Sequence, residues 1–150
     1  MAKLKGTTVT LRGTEEIIRR LEKLPSEVSE KVMASALRAG AKIIAEEMKR
    51  LAPRQKTKDA IGISKTRKSL ALEDIEYRVG PDNSDFVAMY DEFGTGERFH
   101  RSGHRTGRHP VRPFARPAFE RSKGAAEARV IEVVDRGIAA AVRRLNPSGE

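Results

Sequence analysis

The spacing of apolar positions at the start of the chain predicts a short strand followed by a helix. Val9 and Leu11 alternate with polar residues, which is typical of a strand. Thr14 is a good N-cap residue, and the two glutamates after it are favoured near the positive end of a helix dipole. The helix is expected to end near Leu24, because Pro25 lacks an N–H group and disfavours a helical residue before it.

The longest apolar stripe predicts a second helix, which starts at a capping Ser26 and reaches Leu51 before Pro53 stops it. Its apolar positions recur every three or four residues, so they share one face that is wide enough to pack on a sheet. The positions assigned to this face are Val28, Val32, Met33, Ala36, Leu37, Ala39, Ile43, Ile44, Glu47, Met48 and Leu51.

The middle of the chain predicts two strands. Residues 54–58 are polar and basic and are expected to form a loop. Ile61 and Ile63 then flank a glycine in one strand, and apolar residues at 75, 77 and 79 alternate with charged ones in the next. Residues 80–83, with the sequence Gly-Pro-Asp-Asn, are expected to end that strand as a turn.

The last third predicts a short helix, a long loop and a long helix. Residues 86–93 favour the short helix. Residues 94–113 are rich in Gly, Arg, His and Pro and show no periodicity, so they are interpreted as a structureless basic loop; loops this long are generally functional or disordered. Pro117 suits the first turn of the final helix, whose apolar side continues to Leu145 before a frayed tail at 146–150.

Together these elements predict one α+β domain over residues 1–150. We expect a small, mainly antiparallel sheet, with the long N-terminal helix and the C-terminal helix packed on one face. Apolar residues make up 38% of the chain and charged residues 34%, so a monomer has a modest core, which oligomerisation would supplement.

The net charge of +9 is divided into blocks. Residues 1–58 have a balance of +7, residues 59–97 a balance of −5, and residues 98–150 a balance of +7. Attraction to nucleic-acid phosphates would explain the basic blocks but not the acidic block between them. Alternating blocks favour a protein that meets copies of itself, positive patch against negative patch.

Several function classes are disfavoured by composition. The chain has no Cys, which excludes disulfides, Cys-based zinc sites and a thiol nucleophile. No apolar run approaches the roughly 18 residues of a membrane span. The first residues also lack the apolar stretch of a signal peptide, so we expect the protein to be made in the cytoplasm, without membrane contact.

Two groups of residues are candidates for a metal or catalytic site. His100, His104 and His109 lie within ten positions, but the arginines around them would repel a cation, so surface or structural roles are favoured over a metal site. A magnesium site needs several carboxylates that converge on one ion, and four acidic residues lie close together here: Asp82, Asp85, Asp91 and Glu92. Proximity in sequence does not show that they converge, so a magnesium site is disfavoured. No nucleotide-binding, hydrolase or metalloprotease motif is present. The sequence therefore predicts a non-enzymatic protein without metal or cofactor.

Two short motifs resemble a known family. The first contains Glu92-Phe93-Gly94-Thr95, and the second contains Arg112-Pro113-Phe114-Ala115-Arg116-Pro117. In this order, and followed by an amphipathic helix, they resemble the gene-product-ten-like family of lambdoid siphophages, which are tail-completion, head–tail joining or minor tail morphogenesis proteins. The resemblance spans roughly residues 7–145. The chain departs from the family at residues 57–61, where members often have Gly-x-Leu, and in the longer loop between the motifs.

The resemblance implies a structural virion protein at the neck of a bacteriophage, where the head joins the tail. It implies a homo-oligomeric ring, expected to be a hexamer, between a head connector or head-closure protein and a tail tube or tail terminator protein. Double-stranded DNA would pass through the channel of the ring.

The charge pattern assigns residues to this assembly. A basic set is predicted to pair with an acidic set on the next subunit, and this role is favoured over lining the channel and contacting DNA because the acidic complement is encoded in the same chain. The basic set is Arg98, Arg101, Arg105, Arg108, Arg112 and Arg116, and the acidic set is Asp85, Asp91, Glu92 and Glu97. The alternative function is a double-stranded-DNA-binding protein that uses the basic loop; phosphate binding would weaken steeply with salt, whereas a buried ring interface would survive.

Overall fold

Two long helices account for more than a third of the chain in this computed structural model, which describes residues 15–66 and 75–145. The predicted strand at Val9 and Leu11 and the predicted tail at 146–150 lie outside the described residues. The elements in chain order are α1 (Glu15–Glu22), α2 (Ser26–Leu51), α3 (Gln55–Ala60), β1 (Ile61–Lys65), β2 (Tyr77–Pro81), α4 (Val87–Phe93), β3 (Arg98–Phe99), β4 (Arg105–Gly107) and α5 (Ala115–Leu145).

The boundaries of α2 are those that its sequence predicts. The helix runs from Ser26 to Leu51. The carbonyl of Pro25 accepts hydrogen bonds from the backbone N–H groups of Val28 and Ser29, at 2.9 and 3.0 Å, and these bonds close the first turn. The bond from Ser29 makes Pro25 the N-cap residue, so the prediction that Ser26 caps the helix is wrong. Because proline has no N–H group, one fewer donor at the helix start needs a partner.

The predicted loop at residues 54–58 is wrong, since α3 occupies Gln55–Ala60. Its sequence, QKTKDA, shows no apolar periodicity, and the side chains that it buries are Thr57 and Ala60. A helix anchored by a threonine and an alanine gives almost no hydrophobic signal, which is why the pattern indicated a loop.

The strands form two separate two-stranded sheets, β1–β2 and β3–β4. In the first sheet, β1 and β2 pair antiparallel. A backbone hydrogen bond lies beyond each end of this pair, from Thr66 N to Glu76 O and from Asp82 N to Ala60 O, each 3.0 Å. In the second, Arg98 pairs with Gly107 in an antiparallel hairpin. The α+β prediction is confirmed. The predicted structureless loop at 94–113 is corrected, because it contains this hairpin.

The described residues divide into two compact units. Unit 1 comprises residues 15–41, 64–66, 75–78 and 125–145. Its core joins α1, the first half of α2 and the second part of α5 through Leu21, Leu24, Ala36, Val130, Val134, Ile138 and Ala141.

Close helix packing in unit 1 depends on two glycines. A Cβ placed on Gly40 would lie 2.6 Å from Val130 Cγ2, and one placed on Gly137 would lie 2.7 Å from Val32 Cγ1. Glycine thus lets α2 and α5 approach within this unit. The predicted apolar face of α2 is confirmed for Ala36, which is fully buried, whereas Ile43 is half-buried and lies outside the core cluster of either unit.

Unit 2 comprises residues 42–63 and 79–124 and contains both family-like motifs. Its core is built from Ala45, Met48, Ala52, Ile61, Ala88, Phe114 and Ala118. Phe114, from the second motif, is 1% exposed and is among the largest buried side chains. The candidate functional site is carried by this unit.

Candidate functional site

The two motifs meet where the carboxylate of Glu92 caps the N-terminus of α5. One carboxylate oxygen, Oε2, accepts hydrogen bonds from the backbone N–H groups of Phe114 and Ala115 at 2.7 and 2.9 Å. The other, Oε1, accepts from Arg116 N at 3.1 Å. A negative charge at this end of a helix also interacts favourably with the helix dipole.

Pro117 completes the cap because it has no N–H group to satisfy. The first backbone hydrogen bond of α5 runs from Ala118 N to Phe114 O at 3.1 Å, so Phe114 is the N-cap residue. Four N–H groups at a helix start ordinarily lack partners within the helix. Here Glu92 accepts from three of these positions and proline removes the donor at the fourth. The RPF.RPA motif therefore makes physical sense only together with the glutamate of the EFGT motif.

The remaining residues of the EFGT motif hold the base of the hairpin. Gly94 has φ +70°, and a Cβ there would lie 2.7 Å from Val111 Cγ2, so both backbone angle and space require glycine. Thr95 exchanges two hydrogen bonds with His109: His109 N donates to Thr95 Oγ1 at 2.8 Å, and Thr95 N donates to His109 O at 3.3 Å.

A buried polar network lies beneath this junction. Arg54 donates from Nε to Asp91 Oδ2 at 2.8 Å and from Nη2 to Asp85 Oδ2 at 2.9 Å. Thr57 Oγ1 donates to Asp85 Oδ2 at 2.6 Å, and His109 Nε2 lies 2.7 Å from Asp91 Oδ1. An ionised carboxylate only accepts hydrogen bonds, so the proton in the last contact belongs to the imidazole. The network connects α3, α4 and the strand-to-helix return.

The two carboxylates of the network, those of Asp85 and Asp91, are buried, with side chains that are 0% and 1% exposed. Both nevertheless remain charged. Burial raises the pKa of Asp85, but the hydrogen bonds from Thr57 and Arg54 and the charge of Arg54 outweigh it, so that its pKa lies below the ordinary value. Burial likewise raises the pKa of Asp91, and the hydrogen bonds from His109 and Arg54 reverse the direction in the same way. The network is therefore an ion-paired structural element.

Helix α4 presents exposed aromatic side chains on one face. Phe86 is 68% exposed and Phe93 is 64% exposed. They are seven residues apart, which is two helical turns, and Tyr90 lies between them with its ring 6.4 Å from that of Phe86. Val111, which covers Gly94, is 60% exposed. We call Phe86, Tyr90, Phe93 and Val111 the aromatic face. Exposed apolar groups gathered in this way are typical of protein–protein interaction sites.

The six predicted basic residues lie on or beside the hairpin, and all are exposed. Glu97 forms ion pairs with Arg105 and, at 3.6 Å, with Arg108. The other four, Arg98, Arg101, Arg112 and Arg116, form no ion pair with any carboxylate of the described residues.

The predicted acidic patch needs correction. Asp85 and Asp91 are buried and bound to Arg54, so their carboxylates do not lie on the surface of the chain. Glu92 uses both oxygens to cap α5, and Glu97 pairs within its own hairpin. The sequence showed four acidic residues close together, but it could not show that three are occupied inside the fold. Phe93, from the first motif, is also exposed.

The two candidate sites of chemistry have other partners in the structure. Among residues 15–66 and 75–145, no three His, Asp or Glu side chains are placed to hold a metal ion. His100 Nδ1 lies 3.0 Å from Ser102 Oγ, and His109 binds Asp91. Asp82 accepts from the backbone of Ser84 at 2.8 Å. No helix in the described ranges is both long enough and apolar enough to cross a bilayer.

Sequence reasoning missed Arg54, Thr57 and Phe86. Arg54 contacts carboxylates 31 and 37 positions away, and no local pattern links such distant residues. A possible signal was chemical: two aspartates flanking an apolar helix segment need a cation if both are buried. Phe86 was assigned to α4, but its exposure depends on which face of the helix the core covers.

Comparison with known proteins defines the class of this protein. The family model for bacteriophage HK97-gp10-like proteins, described as a tail component, matches residues 15–94. No curated protein and no solved structure matches the chain. The matched range includes α1 to α4, the buried network up to Asp91 and the glutamate of the cap.

The chain is thus a structural protein of a bacteriophage tail. It belongs to the HK97-gp10-like family, since the match covers more than half of its length. Membership places the protein in the virion and implies contact with other structural proteins of the phage.

Proposed function

We propose that the chain is a ring-forming subunit at the head–tail junction, acting in tail completion. Copies would associate into a closed ring, expected to be a hexamer. The ring would dock a head connector or head-closure protein on one side and a tail tube or tail terminator protein on the other. Its action is geometric: it closes the tail and leaves a channel for DNA, and no catalysed step is required.

The observation that carries the proposal is the aromatic face on α4. Burying Phe86 and Phe93 against another protein would remove two large apolar side chains from water, and aromatic residues are enriched at the centres of interfaces. The face adjoins the junction where Glu92 caps α5, and the Arg54 network supports α4 from beneath. A surface held by such contacts needs little reordering on binding, which favours association.

We commit to a second copy of the chain as the occupant of the aromatic face. The test is the native mass of the purified protein, with negative-stain imaging, for the parent and for Phe86→Ser and Phe93→Ser. The parent is expected to form a closed oligomer, and each variant is expected to shift toward monomer. Ile18→Ser is the matched control, because Ile18 is also exposed, at 47%, but lies on α1 in unit 1.

Two outcomes would contradict the proposal. One is a parent that stays monomeric at all concentrations, both alone and with its neighbouring tail proteins. The other is an oligomer that Ile18→Ser disrupts as strongly as Phe86→Ser does, since the aromatic face would then have no particular role.

The alternative, a free double-stranded-DNA-binding protein, is favoured by the exposed arginines on the hairpin that β3 and β4 form. It predicts a monomer whose principal partner is DNA. Oligomeric state separates the two functions, because only the ring subunit is expected to associate in the absence of DNA.

A further inference from the structure

The segment Glu97–Arg108, which we call the basic hairpin, has a defined conformation. Thr106 Oγ1 donates to Arg98 O at 2.9 Å, and His100 N donates to His104 O at 2.7 Å across the tip. Its base is held by the exchange of hydrogen bonds between Thr95 and His109. Arginines on a pre-ordered ribbon lose less conformational freedom on binding than arginines on a flexible loop.

The positive charge of the hairpin is not neutralised by the acidic segment that precedes it. Residues 79–97 carry five carboxylates and no basic residue. Of these, Asp85 and Asp91 bind Arg54, Glu92 caps α5, and Glu97 pairs with Arg105 and Arg108. The one left is Asp82, which accepts from Ser84 N.

A second copy would present the same occupied carboxylates. The acidic complement predicted from the sequence is therefore not available to a neighbouring subunit, which favours a different partner for the surplus charge. Residues 98–106, which form most of the hairpin, are all exposed, and Arg98 and Arg101 have no ion pair among the described residues. Uncompensated arginines on an exposed ribbon fit a dense polyanion.

We propose that the basic hairpin binds the phosphates of duplex DNA, with Arg98 and Arg101 as the principal contacts. A two-stranded ribbon is narrow enough to enter or cross the major groove, and the guanidinium group binds phosphate through two parallel hydrogen bonds. Phosphate contacts carry no sequence information, which suits a subunit past which any DNA sequence moves. The inference rests on the proposed function, in which DNA passes through the ring.

The test measures binding of a fluorescently labelled 30-base-pair duplex by anisotropy at several salt concentrations. Arg98→Gln with Arg101→Gln removes two contacts. Each phosphate contact adds about 0.9 to the slope of log affinity against log salt. The double variant is therefore expected to reduce that slope by roughly 1.8, and to weaken binding about tenfold or more at 100 mM salt. Arg98→Lys with Arg101→Lys keeps the charges and is expected to keep most of the slope.

The matched control is Arg143→Gln with Arg144→Gln. These two arginines are exposed at the end of α5, and replacing them removes the same net charge from a different surface. The control is expected to leave the slope close to that of the parent. Equal effects of the two double variants, or an unchanged slope in the hairpin variant, would overturn the proposal. So would tighter binding of a labelled polyglutamate peptide than of the duplex, because that result assigns the hairpin to an acidic protein.

Failure of the ring can be distinguished from failure of this inference. Native mass on the same hairpin variants reports assembly, whereas anisotropy reports DNA binding. Hairpin variants that assemble like the parent and lose DNA binding support the inference. Variants that lose assembly while they bind DNA like the parent would contradict it and would place the hairpin in the protein interface.

Discussion

At the residue scale, the charged side chains of unit 2 divide into those that build the fold and those that remain at its surface. Glu92 and the Arg54 network are structural, although three of their carboxylates looked like surface charges in the sequence. In the sequence, an acidic residue beside an apolar helix segment fits a structural role and a surface role equally well. The deciding fact is the partner, which lies 22 to 37 positions away and is brought near only by folding. The cap was not predicted either, because the two motifs were recognised as a pair while Glu92 was assigned to the acidic set.

Replacing Glu92 tests the cap directly. Glu92→Ala leaves three helix N–H groups without their acceptor and is expected to lower the free energy of unfolding by about 2 kcal/mol. Glu92→Gln keeps one carbonyl acceptor and should cost less. Glu46→Ala, on an exposed stretch of α2, is the control and should change stability little. Urea unfolding gives all three values, and equal stability of the Glu92→Ala and Glu46→Ala variants would contradict the capping role.

Acid should weaken the Arg54 network. The pKa values of Asp85 and Asp91 are depressed in the folded state, while unfolded aspartates titrate near about 3.9. Their contribution is therefore fully present above about pH 5, and it is lost as pH falls from there through the folded pKa, because the unfolded chain takes up protons first.

The variant Asp91→Asn isolates this effect. It should be less stable than the parent at pH 6, and the difference in melting temperature should narrow as the pH is lowered below 4. Asp59→Asn is the control on an exposed carboxylate, which accepts a hydrogen bond from Gln55. A difference between parent and Asp91→Asn that does not change with pH would mean that the carboxylate is not held charged by its partners.

At the element scale, the sequence predicted those elements whose apolar pattern is strong. The boundaries of α2, the strand at Ile61 and the short helix α4 are confirmed, because core contacts on one face leave a regular period. Helix α3 and the hairpin were not predicted. Helix α3 is anchored by the buried Thr57, and the hairpin depends on hydrogen bonds and on the positive φ angles of Gly103 and Gly107. None of these features produces a hydrophobic period.

Glycine replacements test the packing of helix α5. In Gly137→Ala the new methyl would meet Val32 Cγ1 at 2.7 Å and Cγ2 at 3.0 Å, and a β-branched valine has little freedom to move away. We expect a loss of about 1–3 kcal/mol from overpacking. Gly124→Ala, on the same helix, meets no atom within 4 Å and should gain about 0.5–1 kcal/mol from helix propensity.

Thermal unfolding of both variants measures these two changes in stability, which are expected to have opposite signs. If Gly137→Ala is as stable as Gly124→Ala, the close approach of Val32 to α5 is incorrect. The comparison is internal to one helix, so a general effect of alanine on helix stability cannot account for a difference.

At the scale of the whole molecule, the chain is an α+β tail protein, and the interaction surfaces that we propose for it lie on unit 2. The family was evident from two motifs, and the match over residues 15–94 confirms it. The surfaces were predicted less well. Charge blocks indicated an Arg-to-carboxylate interface between copies, but the carboxylates are occupied, and the exposed aromatic face carried no signal that distinguished it from core. A single domain over residues 1–150 stays a prediction.

We propose that this protein forms a ring where the phage head meets the tail, and this role can be tested in the particle itself. The most direct measurement is imaging of phage particles that carry a labelled copy of the chain, with the label detected in negative stain or by cryo-electron microscopy with averaging about the tail axis. We expect label at the head–tail junction alone, in a closed ring of copies. Particles that carry Phe86→Ser should accumulate as separate heads and tails. Label along the tail tube or at its distal tip would contradict a role at the head–tail junction.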